Sequence, residues 1–281
     1  MRIFLLILLC GMAVQLFPMA SRVEKLPMKV YGDTEIADGE YLHYILYFGG
    51  EKDSDYYYVT RKERDEKGNP LYRIYGIDIP VSDGRKPPEN YTNWSKYFLI
   101  DPKIGSVIES EFELNPSDSA KWASGGMGYL VYGRYQLFRE QGYAEYHSKK
   151  IIDHGTNERT YKVKFNTGIP SENVMGAYFT PRFLNPENGG ISYSIIPEVM
   201  KEPIATTMIF LSKDTLQTKA GVFRVRKYYT IMADPFLAKL MEPVMNKSVM
   251  MIEDTVRRVV VKSDIPGGRV ELEEISNVLK K

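Results

Sequence analysis

The residues most able to bind a metal or move a proton near neutral pH are three histidines, His43, His147 and His154. No His-x-His or His-Glu-x-x-His pattern sets two ring nitrogens on one face, so their spacing builds no metal site. His147 and His154 border one predicted hairpin and read as exposed strand and turn residues. Glu51, Asp53 and Asp55 alternate along a predicted strand start and would set three carboxylates on one side. The glycine-and-glutamate spacing of a calcium loop is missing, and charges of this kind on an edge strand discourage sheet-to-sheet association. Glu109, Glu111 and Glu113 alternate in the same way against Ile108, Phe112 and Leu114, which describes a solvated strand face. There is no Gly-x-Ser-x-Gly nucleophile elbow. Gly125-Gly126-Met127-Gly128 lacks the remaining parts of a nucleotide loop and reads as a loop or strand bulge. In Arg257-Arg258 one arginine is expected to face outward and the other to meet Glu253, Glu271 or a ligand head group. These residues predict no catalytic group, no metal site and no cofactor. A hydrolase with carboxylates scattered along the chain stays open as a third functional class, because such pairs leave no local mark.

The opening stretch MRIFLLILLCGMAVQLFPMA has a basic start at Arg2, an apolar run from Ile3 to Leu9 and small-residue exits at Ala13 and Ala20. That layout predicts a secretory signal peptide over residues 1–20 and a single β-rich domain over 21–281. An uncleaved anchor needs roughly 20 mainly apolar residues, and Gln15 and Pro18 interrupt the run. Cys10 raises a lipidated-cysteine reading, but Leu9 stands where a small residue is required. Cleavage after Ala20 removes the lone cysteine, and with it any disulfide or thiolate chemistry. It also removes Arg2, taking the 37 basic residues to 36 against 36 acidic ones. A neutral surface of this kind draws neither nucleic acid nor anionic lipid from a distance, so no nucleic-acid partner is expected. The predicted location is the periplasm or outer envelope, with no membrane span after cleavage.

The positioning elements read as strands. Short alternating apolar runs dominate, and the chain carries 21 tyrosines, which favour sheet. Strands are predicted over 40–48, 56–64, 71–78, 97–100, 106–114, 143–152, 159–166, 221–232, 250–262 and 269–275. Asp65 to Asn69 and Asp153 to Glu158 are the expected hairpin loops. Residues 167–206 hold five prolines and Gly189-Gly190, so they read as a long loop with short elements packed on the sheet. One helix is expected: Asp234 caps it, Pro235 opens it, and Phe236, Leu237, Leu240, Met241, Val244 and Met245 form its apolar stripe.

Two regions carry a resemblance. Gly221-Val222-Phe223 opens one strand, Glu253-Asp254 precedes Arg257-Arg258, and Pro266-Gly267-Gly268-Arg269-Val270-Glu271-Leu272 starts the last. With Gly39-Glu40-Tyr41-Leu42-His43-Tyr44 near the start, this order resembles an uncharacterised family of exported bacterial proteins akin to lipoprotein-carrier half-barrels. The resemblance implies a mainly β fold: a strongly curved antiparallel sheet with one or two short helices on its concave side. It implies a non-enzymatic envelope protein that binds a lipid or a lipoprotein acyl chain, which burial would stabilise by about 0.8 kcal/mol per CH₂. The lid or groove would be Phe236, Leu240, Met241, Val244 and Met245, continued by Met250 and Met251, unless these residues only complete the core. The alternative is a structural or assembly protein that docks an envelope protein through strand edges and the 167–206 segment.

Overall fold

Tyrosines and β-branched residues spaced by two shape most of this chain, and extended backbone is the conformation that lets such residues pack in rows. The computed structural model describes residues 34–113, 129–152, 155–164, 171–173, 178–184, 191–196, 204–232, 248–265 and 267–280. The N-terminal half forms β1 (Glu40–Phe48), β2 (Glu51–Arg64), β3 (Pro70–Pro80) and β4 (Lys96–Asp101). It continues with β5 (Ser106–Glu113), β6 (Tyr129–Phe138), β7 (Tyr143–Ile152) and β8 (Gly155–Lys164). The C-terminal half forms β9 (Ser171–Asn173), β10 (Ile191–Ile196), β11 (Ile204–Thr218) and β12 (Gly221–Met232). It ends with β13 (Val249–Glu253), β14 (Val260–Ile265) and β15 (Gly268–Asn277).

All fifteen strands belong to one sheet, ordered β8-β7-β6-β5-β4-β3-β2-β1-β15-β14-β13-β12-β11-β10-β9. Two meanders therefore run outward from a central β1–β15 pair that joins the two ends of the sheet-forming chain. Neighbours are antiparallel throughout, except for the short β9–β10 pair. β9 lies at one end of this order and yet sits beside β5, so the sheet curls back on itself without closing. Long twisted sheets relieve their twist in this way. Close approach between strands is visible at Gly133, where an added Cβ would stand 2.3 Å from the Phe112 ring.

The inside of the curl is filled by the segment 178–184, from the proline-rich stretch expected to pack on the sheet. Thr180–Phe183 forms a single buried 3-10 turn. Phe179 lies edge-on to Tyr58 of β2 at 5.2 Å and to Phe98 of β4 at 5.1 Å. Phe183 reaches Tyr72 of β3 at 5.9 Å, and Leu184 joins Met208, Tyr228 and Met250 of the C-terminal half. The plug thus bridges both halves.

Several expectations are corrected. The strand expected over 250–262 is two strands, β13 and β14, because the chain bends at 254–257. Arg258 takes a positive φ of 51° in this connection, a conformation that ends regular strand. The loop expected over 153–158 is shorter, since β8 begins at Gly155. β6, β9, β10 and β11 lie where no strand was expected. The predicted helix beginning at Asp234 and Gly125-Gly126-Met127-Gly128 fall outside the described residues, as does the leader. Among the described residues, no helix is long and apolar enough to cross a membrane.

The bend after β13 is clamped by charge. Asp254 receives Arg226 Nε of β12 at 2.5 Å and Lys213 Nζ of β11 at 3.0 Å. Partial burial raises the Asp254 carboxyl, but hydrogen bonds from Lys213 and Arg226, with their charges, outweigh it and hold the group below its ordinary value. A lowered folded pKa means stability that is fully present above the unfolded value of about 3.9 and lost as pH falls through the folded one. In acid titrations followed by thermal melting, D254N is expected to be less stable than wild type at pH 7. The two curves should converge as the pH falls through the lowered folded value.

Candidate functional site

The site begins at a glycine. Tyr58, Gly76 and Lys96 are direct neighbours across β2, β3 and β4. Glycine inside a strand marks a close approach of something from a neighbouring strand, and here it is the lysine chain. A Cβ at position 76 would meet Lys96 Cε at 2.7 Å and the Tyr58 ring at 3.0 Å. The Lys96 chain crosses this gap and places Nζ 5.0 Å from the centre of the Tyr58 ring and 5.6 Å from that of Tyr56. The amine also donates to the Tyr58 hydroxyl at 3.4 Å and pairs with Asp78, the cross-strand partner of Tyr56. Lys96 is 9% exposed and Asp78 45%, so the site is closed at the amine and open at the carboxylate.

Burial pushes the Tyr56 and Tyr58 phenols well above their ordinary value, and the Asp78 charge adds to the effect. Both therefore stay neutral at working pH and keep their hydroxyl protons. Tyr178, the first residue of the plug, stacks on Tyr44 at 5.6 Å, which makes Tyr44, Tyr56, Tyr58 and Tyr178 one aromatic wall. A desolvated amine over aromatic faces has the chemistry of an anion receptor with an apolar surround.

The floor of the site is held by an ion pair. Arg182 is fully buried and grips Glu40, 2% exposed, at 2.7 and 3.1 Å. The same guanidinium donates to the Arg257 carbonyl at 2.7 and 3.3 Å. Thr34 donates to the Arg182 carbonyl at 2.9 Å, and Arg258 donates to that of Leu184 at 2.7 Å. Arg257 itself binds Glu253 through two bonds of 2.8 and 2.6 Å. Of the expected partners for the Arg257-Arg258 pair, Glu253 is engaged, by Arg257. Neither arginine lies on a strand face, and Arg258 turns inward to the plug.

The other candidates take separate places. Met250 and Met251 are consecutive on β13 and nearly buried. Strand geometry sends them to opposite faces, and they join different apolar clusters, so they do not continue a single stripe. Phe236, Leu240, Met241, Val244 and Met245 lie outside the described residues. Glu51 and Asp53 are exposed, whereas Asp55 is buried, because the β1–β2 register slips between Leu46 and Tyr47. Asp55 receives His43 Nε2 at 2.6 Å and Lys52 Nζ at 2.9 Å. His43 also stacks on Tyr57 at 4.3 Å, and the Tyr57 phenol is pushed up to about 12 by burial together with Asp55 and Glu274. His147 sits on β7, away from His43, and meets Thr160 at 2.8 Å; His154 is outside the described residues. Glu109 and Glu111 accept from the Tyr97 hydroxyl at 2.6 and 3.3 Å, a cross-strand contact on β4 and β5.

No protein-family model matches this chain, and no curated protein matches it at a significant level. Solved structures do. A Bacteroides fragilis protein described as exported, with a YmcC-like fold, is 9% identical, with 89% of this chain and 100% of its own covered and a TM-score of 0.34. A protein from Parabacteroides distasonis described as a lipoprotein is 9% identical, with coverage of 88% and 99% and a TM-score of 0.33. A beta-barrel-like protein of a domain of unknown function from Brucella abortus is 9% identical, with coverage of 89% and 99% and a TM-score of 0.37. These are the proteins the chain is similar to. At such identity and score they transfer no activity, ligand or residue role, and the curled antiparallel sheet rests on the strand pairings themselves.

Proposed function

We propose that this chain is a non-enzymatic protein of the bacterial envelope that binds an amphipathic molecule with an anionic head. The head exchanges with Asp78 at the Lys96 amine, and the apolar part lies along the partly exposed Tyr56 and Tyr178. The observation that carries this reading is a lysine amine set in an aromatic wall, with a half-exposed carboxylate as its counter-charge. An amine so placed loses water and gains electrostatic strength toward an incoming anion. The apolar rim supplies the rest of the affinity, at about 25 cal/mol per Å² covered. A partner docked through residues 179–184 has less support, because those residues are buried.

The reading is tested by titrating wild type and K96M with palmitate and following tyrosine fluorescence. A hydrogen bond to a charged group contributes about 1.5–3 kcal/mol, so K96M should bind at least about tenfold more weakly. Its melting temperature should change little, since the Asp78 left behind is half-exposed. Equal palmitate affinity in the two proteins would overturn the proposal.

A further inference from the structure

β8 ends the sheet, and among the described residues no strand pairs with its outer edge. It is ten residues long, GTNERTYKVK, and mostly exposed. Long exposed edges are templates for another strand, and proteins usually blunt them with prolines, bulges or charged side chains, lysine above all. β8 has no proline, and its pairing with β7 runs without a register slip. Its charges are of both signs, and their spacing is self-complementary.

We infer that β8 pairs antiparallel with β8 of a second copy, about a twofold axis through Thr160. Across such an axis opposing residue numbers sum to a constant. Thr160 then faces Thr160, Glu158 faces Lys162 twice, and Arg159 faces Tyr161 twice. Threonine pairs, opposite charges and cation–aromatic pairs are each favourable when directly opposite on a sheet. Moving the axis to Arg159 or to Lys162 sets two like charges against each other, which is unfavourable.

The strand behind the edge continues the pattern. Lys149 of β7 is opposite Glu158 at 3.3 Å, and Glu145 is opposite Lys162 at 3.5 Å. The joined sheets therefore carry a row Lys149, Glu158, Lys162, Glu145 across four strands, alternating in sign, and the axis generates the same row again. A twofold axis of this kind gives a closed, isologous contact rather than an open fibre. It joins two sheets into one and leaves Lys96, on β4, untouched. This inference does not depend on the ligand proposal.

The test is sedimentation equilibrium of the full chain over a wide concentration range. Wild type is expected to show a reversible monomer–dimer equilibrium. E158K and K162E each set like charges opposite one another twice, so each should weaken the dimer at least about tenfold. An equimolar mixture of E158K and K162E restores opposite charges at both places and should recover the dimer as a heterodimer. Both positions are exposed, and matching circular dichroism spectra identify any loss caused by misfolding. In a C10S background, T160C should oxidise to a disulfide-linked dimer, whereas T156C, which faces Lys164, should not. A wild type monomeric at every concentration would overturn the inference. So would a dimer undiminished in both charge reversals, a mixture that stays monomeric, or capture of a foreign strand in place of a second copy.

Discussion

R182M is expected to be the most destabilising single substitution among the polar residues described here. It strips Glu40 of its partner deep in the core and leaves the Arg257 carbonyl without two of its donors. Removing one half of a buried ion pair typically costs about 3–5 kcal/mol, since the remaining charge keeps its desolvation penalty. For a chain of this size that corresponds to a fall in melting temperature of roughly 10 °C. The double variant E40L/R182M removes the orphaned charge and should recover most of the loss, because an apolar pair of similar volume is often neutral or better. Thermal melting and urea titration of the three proteins read this directly. A loss below about 1 kcal/mol in R182M would show that the ion pair does not hold the plug.

F179A should cost nearly as much through a different physical route. The Phe179 ring is fully buried between Tyr58 and Phe98, and its removal leaves an apolar void under the aromatic wall. Substitutions of buried phenylalanine by alanine cost about 3–5 kcal/mol, the spread reflecting how far the surroundings collapse. An apolar void stays dry and accepts a small apolar guest. Benzene is therefore expected to raise the melting temperature of F179A while leaving that of wild type unchanged. If benzene stabilises neither protein, the walls have closed on the void and the plug is not a rigid floor. Palmitate binding by F179A should still depend on Lys96, which separates the floor from the head-group site.

The strands were readable where turn residues bound a run rich in aromatic and β-branched side chains. β1, β7 and β12 carry the predicted boundaries because Gly39 and Gly49, Gly142 and Gly155, and Gly221 mark where those runs begin or end. β11 was missed. Its sequence IATTMIFLSKDTLQT mixes an apolar run with a polar one, and a register slip between Phe210 and Ser212 hides the period. The break between β13 and β14 was also hidden, since 254–257 contains neither glycine nor proline and the positive φ falls on Arg258.

The candidate site was less legible than the fold. The apolar stripe expected to line a groove draws the eye by its spacing, whereas Lys96, Asp78 and Tyr56 come from three strands and show no local pattern. One signal was present: Gly76 interrupts RIYGIDIP in the middle of a strand, and a glycine there announces that another strand's side chain needs the space. The Arg182–Glu40 pair joins residues 142 positions apart and has no counterpart in local sequence. The proline-rich stretch around Arg182 was expected to pack on the sheet, and its buried residues do so. Its role as a plug needed the curl of the whole sheet to become visible.

The most direct measurement is mass spectrometry of organic extracts from the protein and from K96M, both purified from an envelope fraction without detergent. The account predicts an anionic amphiphile in stoichiometric amount with wild type and at most a trace with K96M. A folded wild type free of any such molecule, or equal amounts recovered with the two proteins, would contradict it.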